Sequence, residues 1–284
     1  MIYLNGKYMP IEDAFIPVLD RGFIFGDGVY EVIPVYSRRP FRLDDHLQRL
    51  QNSLDSIRLD NPHHDSDWQR IVAGVIERND AEDQAIYLQV TRGPAKRDHA
   101  FPKDTQQTVF VMSSPLAPPS AEQIKTGVSA ITAADNRWLR CDVKSTALLP
   151  NVLLRQLAAD AGCAETLLLR DGLLTEGSAS NVFVVKGGIM LAPPKSNLML
   201  PGITYEVVLE LAREHGVAYE VRNIKQVELE QADEIWISSS SREVLPVTML
   251  NGRPVGKGRP GPVFQRIHDL YQNYKTRVMR AGKP

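Results

Sequence analysis

Four dipeptides restrict the possible folds of this 284-residue chain more than any other feature: Asn5-Gly6, Asp171-Gly172, Gly187-Gly188 and Asn251-Gly252, each set between short apolar or β-branched runs. A two-residue hairpin turn needs residues that accept positive φ, because only then does the turn match the right-handed twist of the paired strands. Each dipeptide therefore predicts an antiparallel hairpin. Strands are expected over residues 29–36, 86–91, 109–112, 166–170, 182–185 and 234–238.

Helical spacing is interleaved with these runs. From Asp44, read as an N-cap, Leu47, Leu50, Leu54 and Ile57 recur on one face. A second helix is expected over 151–161, stopping at Gly162, a good residue just past a helix end. A third opens after Pro201-Gly202 with Ile203, Val207, Val208 and Leu211 on one face, and a fourth covers about 263–278. The mixture predicts an α+β or α/β class. Pro115, Pro118 and Pro119 break both periodicities and make a stiff connector. The expected division is a small α+β domain over 1–114, a linker over 115–120, and a larger β-rich, barrel-like domain over 121–284.

Charge narrows the function classes. With 33 basic and 34 acidic side chains the formal net charge is -1, so nothing favours nucleic acid or an anionic membrane as partner. The N-terminal MIYLNGKYMP lacks the pattern of a signal peptide, and no run reaches the roughly 20 apolar residues of a membrane helix. Cys141 and Cys163 fit neither a disulfide framework nor a metal spacing. A cytoplasmic protein acting on small molecules is expected, with no metal.

Several residues have chemistry that their surroundings leave open. Lys144 lies in RWLRCDVKS, among apolar residues and arginines; a nucleophilic lysine and an ordinary surface lysine look alike there. Glu176 precedes the small-residue loop GSASN, which either admits a ligand to the backbone or ends a solvated hairpin. The helix start at Ile203 and Thr204 offers free N–H groups for phosphate, as many helix starts do. Ser238 to Ser241 suit phosphate or a turn equally. Arg49 is off the leucine stripe, and periodicity places it in solvent. Arg97 and His99 follow a strand end, as a carboxylate clamp or an exposed basic loop.

Six ordered segments supply what local composition lacks: DRGFIFGDGVYEV (20–32), HLQRL (46–50), QVTRGPAKRDHAFP (89–102), RWLRCDVKS (137–145), TEGSASNVF (175–183) and LPGIT (200–204). Together they resemble the fold-type IV pyridoxal 5'-phosphate (PLP) enzymes, and among them the D-amino-acid aminotransferases. The resemblance implies two domains with PLP in a cleft, the larger one carrying the cofactor lysine. It implies that Lys144 holds PLP as a Schiff base and shuttles the proton, and that Glu176 pairs with the pyridine nitrogen. Arg49, the amides of Ile203 and Thr204, and Ser241 or Ser240 would hold the phosphate. Tyr30, Arg97 and His99 would trap the substrate carboxylate, the last two from the partner subunit of a homodimer. The implied reaction takes D-alanine and 2-oxoglutarate to pyruvate and D-glutamate.

Two places depart from that family pattern: Tyr205, where a basic residue is common, and the loop Ser239-Ser240-Ser241-Arg242, where threonines are expected; its hydroxyls remain, and Arg242 has no assigned role. Within the fold, branched-chain L-aminotransferases would carry an arginine where Val29-Tyr30-Glu31 stands. Aminodeoxychorismate lyases match near GDG, but the Arg97-x-His99 pair marks the D-specific group. A ligand-binding protein of this fold without transaminase activity is the alternative from another class.

Overall fold

A computed structural model describes residues 1–281. The chain forms two compact units, Met1–Ala117 with Val143–Leu148, and Pro118–Asp142 with Leu149 onward. It first passes between them at Ala117, inside the proline-rich stretch. Residues 143–148, expected within the C-terminal domain, cluster with the first unit instead. The reason is backbone pairing: the Tyr30 N–H donates to the Lys144 carbonyl at 2.9 Å, the Thr146 N–H donates to Gly28 at 3.0 Å, and Val29 bridges Ser145.

The first unit is an antiparallel sheet backed by helices. Its strands are β1 (Ile2–Leu4), β2 (Lys7–Met9), β3 (Gly28–Tyr36), β4 (Arg39–Pro40), β5 (Gln84–Thr91) and β6 (Thr108–Pro115), in the order β2-β1-β6-β5-β3-β4. A short helix α1 (Arg21–Phe25) precedes β3, and α2 (Leu43–Ser56) and α3 (Asp65–Glu77) pack on the sheet. Leu47, Leu50 and Leu54 of α2 and Trp68, Val72 and Val75 of α3 meet Ile33, Ile86 and Leu88 in one buried cluster. Each such side chain, taken fully out of water, contributes roughly 1.5–3 kcal/mol. Asp44 is not the N-cap of α2. Arg42 is, at φ 47°, and Asp44 lies in the first turn, where its charge suits the helix dipole.

The second unit holds α4 (Ala121–Thr126), β7 (Val128–Ala134), α5 (Leu149–Asp160), β8 (Glu165–Arg170), β9 (Leu173–Gly177), β10 (Asn181–Lys186), β11 (Ile189–Ala192) and α6 (Ile203–Glu214). It continues through β12 (Tyr219–Val221), α7 (Gln226–Glu230), β13 (Glu234–Ser239), β14 (Glu243–Leu250), β15 (Arg253–Pro254) and α8 (Pro262–Tyr274). The fourth expected helix ends in a π-helical segment, Lys275–Arg280. The sheet runs β12-β11-β10-β13-β14-β7-β8-β9, with β15 paired to β14. Three residues, 178–180, join the edge strand β9 to β10 near the opposite edge, and the Gly177 N–H donates to the Ser180 carbonyl at 2.6 Å. A connection that short bends the sheet into a half-barrel.

Both faces of the central strands are covered, so these strands read as continuous apolar runs rather than alternations. Val182, Val184, Ile235, Ile237 and Leu245 fill one side. On β10 and β13, Phe183 stacks on Trp236 with ring centroids 4.5 Å apart and on Tyr205 of α6 at 5.2 Å. All four expected hairpin dipeptides join paired strands, and every one of their eight residues has positive φ, from Asn5 at 45° to Gly6 at 92°. Among the described residues no helix is long and apolar enough to cross a membrane.

Candidate active site

Lys144 is half-buried, in the stretch that pairs alongside β3. Its Nζ stands over the Tyr30 ring, 4.2 Å from the centroid, and its backbone N–H donates to Ser53 Oγ of α2 at 3.3 Å. Tyr30 stacks on Tyr87 of β5, 5.5 Å between centroids. The β3 alternation that turns Tyr30 one way turns Glu31 the other, into the core, where it is fully buried.

Glu31 explains Arg49. The arginine is buried, contrary to the periodicity reading, because the carboxylate lies beneath that face of α2: Nε donates to Oε1 and Nη2 to Oε2, each at 2.7 Å. His46, one helical turn earlier, adds Nδ1 to Oε2 at 2.8 Å. Burial opposes the Glu31 charge, but the Arg49 guanidinium and the His46 hydrogen bond together hold its carboxyl well below the ordinary range. Burial draws His46 below its own ordinary value against the pull of Glu31, so it is neutral, with the proton on Nδ1. Its Nε2 is buried without a hydrogen-bond partner.

In the second unit Glu176, at the end of β9, is buried rather than solvated. Arg137 Nη1 donates to Oε1 at 2.6 Å, and the Leu200 N–H donates to Oε2 at 3.1 Å. Arg137 also forks onto Asp135 at 2.9 Å through Nε and Nη2, and Thr175 Oγ1 donates to the same carboxylate at 2.9 Å. Burial pushes Glu176 up to about 7, offset in part by Arg137. This carboxyl can hold or release a proton near neutrality. Cys141 nearby in sequence is no nucleophile, since burial pushes its thiol up to about 11.

The N-terminus of α6 lies beside Asn181, the first residue of β10. No side chain caps it, so the Ile203 and Thr204 amides are available to a ligand. A Cβ on Gly202 would come within 2.1 Å of Asn181 Oδ1, and Asn181 Nδ2 donates to the Leu200 carbonyl at 2.9 Å. Between β13 and β14, Ser240 is half-buried and Ser241 exposed, and neither hydroxyl bonds another described residue.

Arg97 and His99 are exposed on a loop of the first unit. Arg97 lies 5.4 Å from the centroid of the Phe25 ring, as does the His99 ring. Arg21 holds this loop through its backbone: Nη1 donates to Asp98 O at 2.5 Å and to Ala100 O at 3.3 Å. Asp27 pairs with Arg21 at 2.7 Å and with Arg92 at 2.8 Å. Tyr205 belongs to the core, fully buried, its hydroxyl donating to the Pro193 carbonyl at 2.8 Å. Sequence reasoning gave no role to Glu31, His46, Arg137 or Asp135. His46 and Glu31 are 15 positions apart and Arg137 and Glu176 are 39 apart, while Asp135 joins the cluster through Arg137, two positions on.

Residues 28–250 match the sequence model of the amino-transferase class IV family. The chain belongs to the class IV aminotransferases. This aminotransferase is 41% identical over 272 residues to the D-alanine aminotransferase of Bacillus licheniformis, covering 96% of each chain. It is 34% identical over 273 residues to that of Staphylococcus aureus strain COL, covering 96% of this chain and 97% of the relative. Among solved structures it superposes on the branched-chain amino acid aminotransferase of Escherichia coli with a TM-score of 0.91 and 27% identity, covering 100% of this chain and 95% of that one. The branched-chain enzyme of Thermoproteus uzoniensis with norvaline gives 0.86 and 27%, covering 96% and 93%. The fold-type IV architecture is therefore shown, with its half-barrel sheet.

Aminotransferases of this class are PLP-dependent and exchange amino groups between amino acids and 2-oxo acids. Each unit by itself supplies groups of the kind that this cofactor needs. Lys144 provides an amine with no carboxylate partner among the described residues. Glu176 is a buried acid able to share a proton with a ring nitrogen, and an uncapped helix start and two unbonded hydroxyls provide donors for phosphate.

Proposed function

We propose that this aminotransferase acts on D-amino acids, with D-alanine and 2-oxoglutarate converted to pyruvate and D-glutamate. Identity of 41% to a D-alanine aminotransferase over 96% of both chains carries this reading, and the Arg97-x-His99 pair supports it. Lys144 would anchor PLP and Glu176 would pair with its ring nitrogen. Arg49, the Ile203 and Thr204 amides, and the hydroxyls of Ser241 and Ser240, the former favoured, would hold the phosphate. When bound, PLP supplies the electron sink that makes the substrate Cα proton removable and carries the amino group from one acid to the other.

The protein's own part is positioning and proton transfer. Lys144 Nζ takes the Cα proton from the bound amino acid, and Tyr30 beneath it limits where that amine can reach. Glu176 keeps a proton at the ring nitrogen, and Arg137 fixes the orientation of its carboxyl. Tyr30, Arg97 and His99 bind the substrate carboxylate, the last two donated by the partner of a homodimer. Exposed apolar side chains support the dimer: Phe15, Val18 and Phe23 in the first unit, and Leu149, Val152, Leu153 and Leu157 along one side of α5. A cytoplasmic location belongs to the same proposal, supported by two free cysteines.

The test is turnover of D-alanine with 2-oxoglutarate against L-leucine with the same acceptor. D-alanine as the preferred donor is expected. Reaction with L-leucine alone would move the chain to the branched-chain activity of its structural neighbours and remove the carboxylate role of Arg97 and His99.

A further inference from the structure

The turn between β13 and β14 is fastened far more firmly than a three-residue connection requires. On one side, Glu243 takes φ 52°, a conformation that costs a non-glycine residue about 1–3 kcal/mol. Its buried carboxylate accepts from Lys275 Nζ and, at 2.8 Å, from Gln272 Nε2. On the other side stands Arg242. Its backbone N–H donates to Ser239 Oγ at 3.1 Å, and Nη1 donates to the Ala164 carbonyl at 3.1 Å and to Glu165 Oε2 at 3.3 Å.

Glu165 is fully buried at the first position of β8. Besides Arg242 it accepts from the Thr166 N–H at 2.9 Å, the Ser178 N–H at 3.2 Å, the Ser178 hydroxyl, and Ser180 Oγ at 2.9 Å. Arg242 is its ion-pair partner among the described residues. A buried carboxylate is costly unless its lone pairs are satisfied, and here the donors come from two loops at once. One is the serine loop that follows Glu176. The other is the turn that contains Ser240 and Ser241, whose own hydroxyls bond no other described residue.

We infer that Arg242 is a positioning residue: through Glu165 it ties the Ser240-Ser241 turn to the Ser178–Ser180 loop, so that both free hydroxyls meet the phosphate of PLP already aligned. The inference rests on the assignment of Ser240 and Ser241 to the phosphate. It gives a role to the arginine that the family resemblance leaves unexplained. Held donors lose less freedom on binding than mobile ones, so the gain is in cofactor retention rather than in chemistry.

The experiment measures PLP release from the holoenzyme by dialysis against buffers of graded PLP concentration, with thermal midpoints recorded alongside. Arg242→Ala is expected to weaken PLP about tenfold. Arg242→Lys should recover part of that loss, and kcat at saturating PLP should stay near the starting value. Glu165→Gln should weaken PLP in the same direction. In a Ser240→Ala/Ser241→Ala background, Arg242→Ala should cost nothing further, because the residue acts through those hydroxyls. Two outcomes overturn the inference and leave the phosphate assignment intact. In one, the double serine variant loosens PLP while Arg242→Ala leaves it within about twofold. In the other, the arginine effect persists undiminished in the serine-free background. If the serine variant itself retains PLP fully, the phosphate assignment fails and the inference with it.

Discussion

Arg49 and Glu31 form a bidentate ion pair inside the first unit, Nε to Oε1 and Nη2 to Oε2 both at 2.7 Å, with neither side chain more than 8% exposed. Removing one member of such a pair leaves the other as an uncompensated buried charge. Glu31→Ala should therefore destabilise the protein by about 3–5 kcal/mol in urea unfolding of the cofactor-free form. The double variant Glu31→Ala/Arg49→Ala should lose less than the sum of the single losses. Additive losses would mean that the two side chains are energetically independent.

His46 gives the pair a pH signature. A histidine held below its ordinary value resists protonation in the fold, so its contribution is complete above the unfolded value of 6.5 and is lost as pH falls through the folded value. Glu31 acts in the same sense at lower pH, its contribution complete above 4.5 and lost as its carboxyl is forced to protonate. Unfolding free energy measured on descending from pH 7 should thus decline, first through His46. A His46→Gln variant should flatten the upper part of that decline. An unchanged slope in the variant would assign the loss elsewhere.

Glu176 has the opposite sign. Its folded value is raised from 4.5 to about 7, so the stability it contributes is complete below 4.5 and is lost as pH rises through about 7. In the cofactor-free protein, Glu176→Gln should abolish that dependence, read as the difference between variant and parent across pH 5–8. In the loaded enzyme the same substitution should lower kcat by about 10²-fold or more while weakening PLP far less. Equal losses in kcat and cofactor affinity would make Glu176 a binding group and nothing else.

These charged clusters also mark where reading the sequence stops. Asn5-Gly6 and the other hairpin dipeptides state their own geometry, since positive φ is a property of the residues themselves. The leucines of α2 do the same for a buried face. Periodicity misplaces Arg49 because it records only apolar neighbours, and the partner that buries it comes from β3. Helix α3 carries Trp68, Ile71, Val72 and Val75 at helical spacing, a signal present in the sequence itself. The return of residues 143–148 to the first unit has no local signal, because it depends on backbone bonds to Gly28 and Tyr30 more than a hundred positions earlier. Arg242 is unreadable for the same reason: its partner Glu165 lies 77 residues away.

The exposed side of α5 tests the dimer. Leu153, 59% exposed, is replaced by glutamate without disturbing the helix core, where Leu154 and Ala158 point. Leu153→Glu should shift the protein toward monomer in sedimentation velocity and reduce D-alanine turnover together with it, because in the proposed dimer Arg97 and His99 would serve the partner's site. A monomeric variant with full turnover would place those two residues in their own subunit's site or outside any site.

The central claim concerns one amine, Lys144 Nζ above the Tyr30 ring. Borohydride reduction of the holoenzyme followed by peptide mass mapping tests it directly. The phosphopyridoxyl mass should appear on the peptide containing Lys144, and a Lys144→Ala variant should take up no label and show no transamination. A label on another lysine, or turnover that survives in Lys144→Ala, would contradict the account.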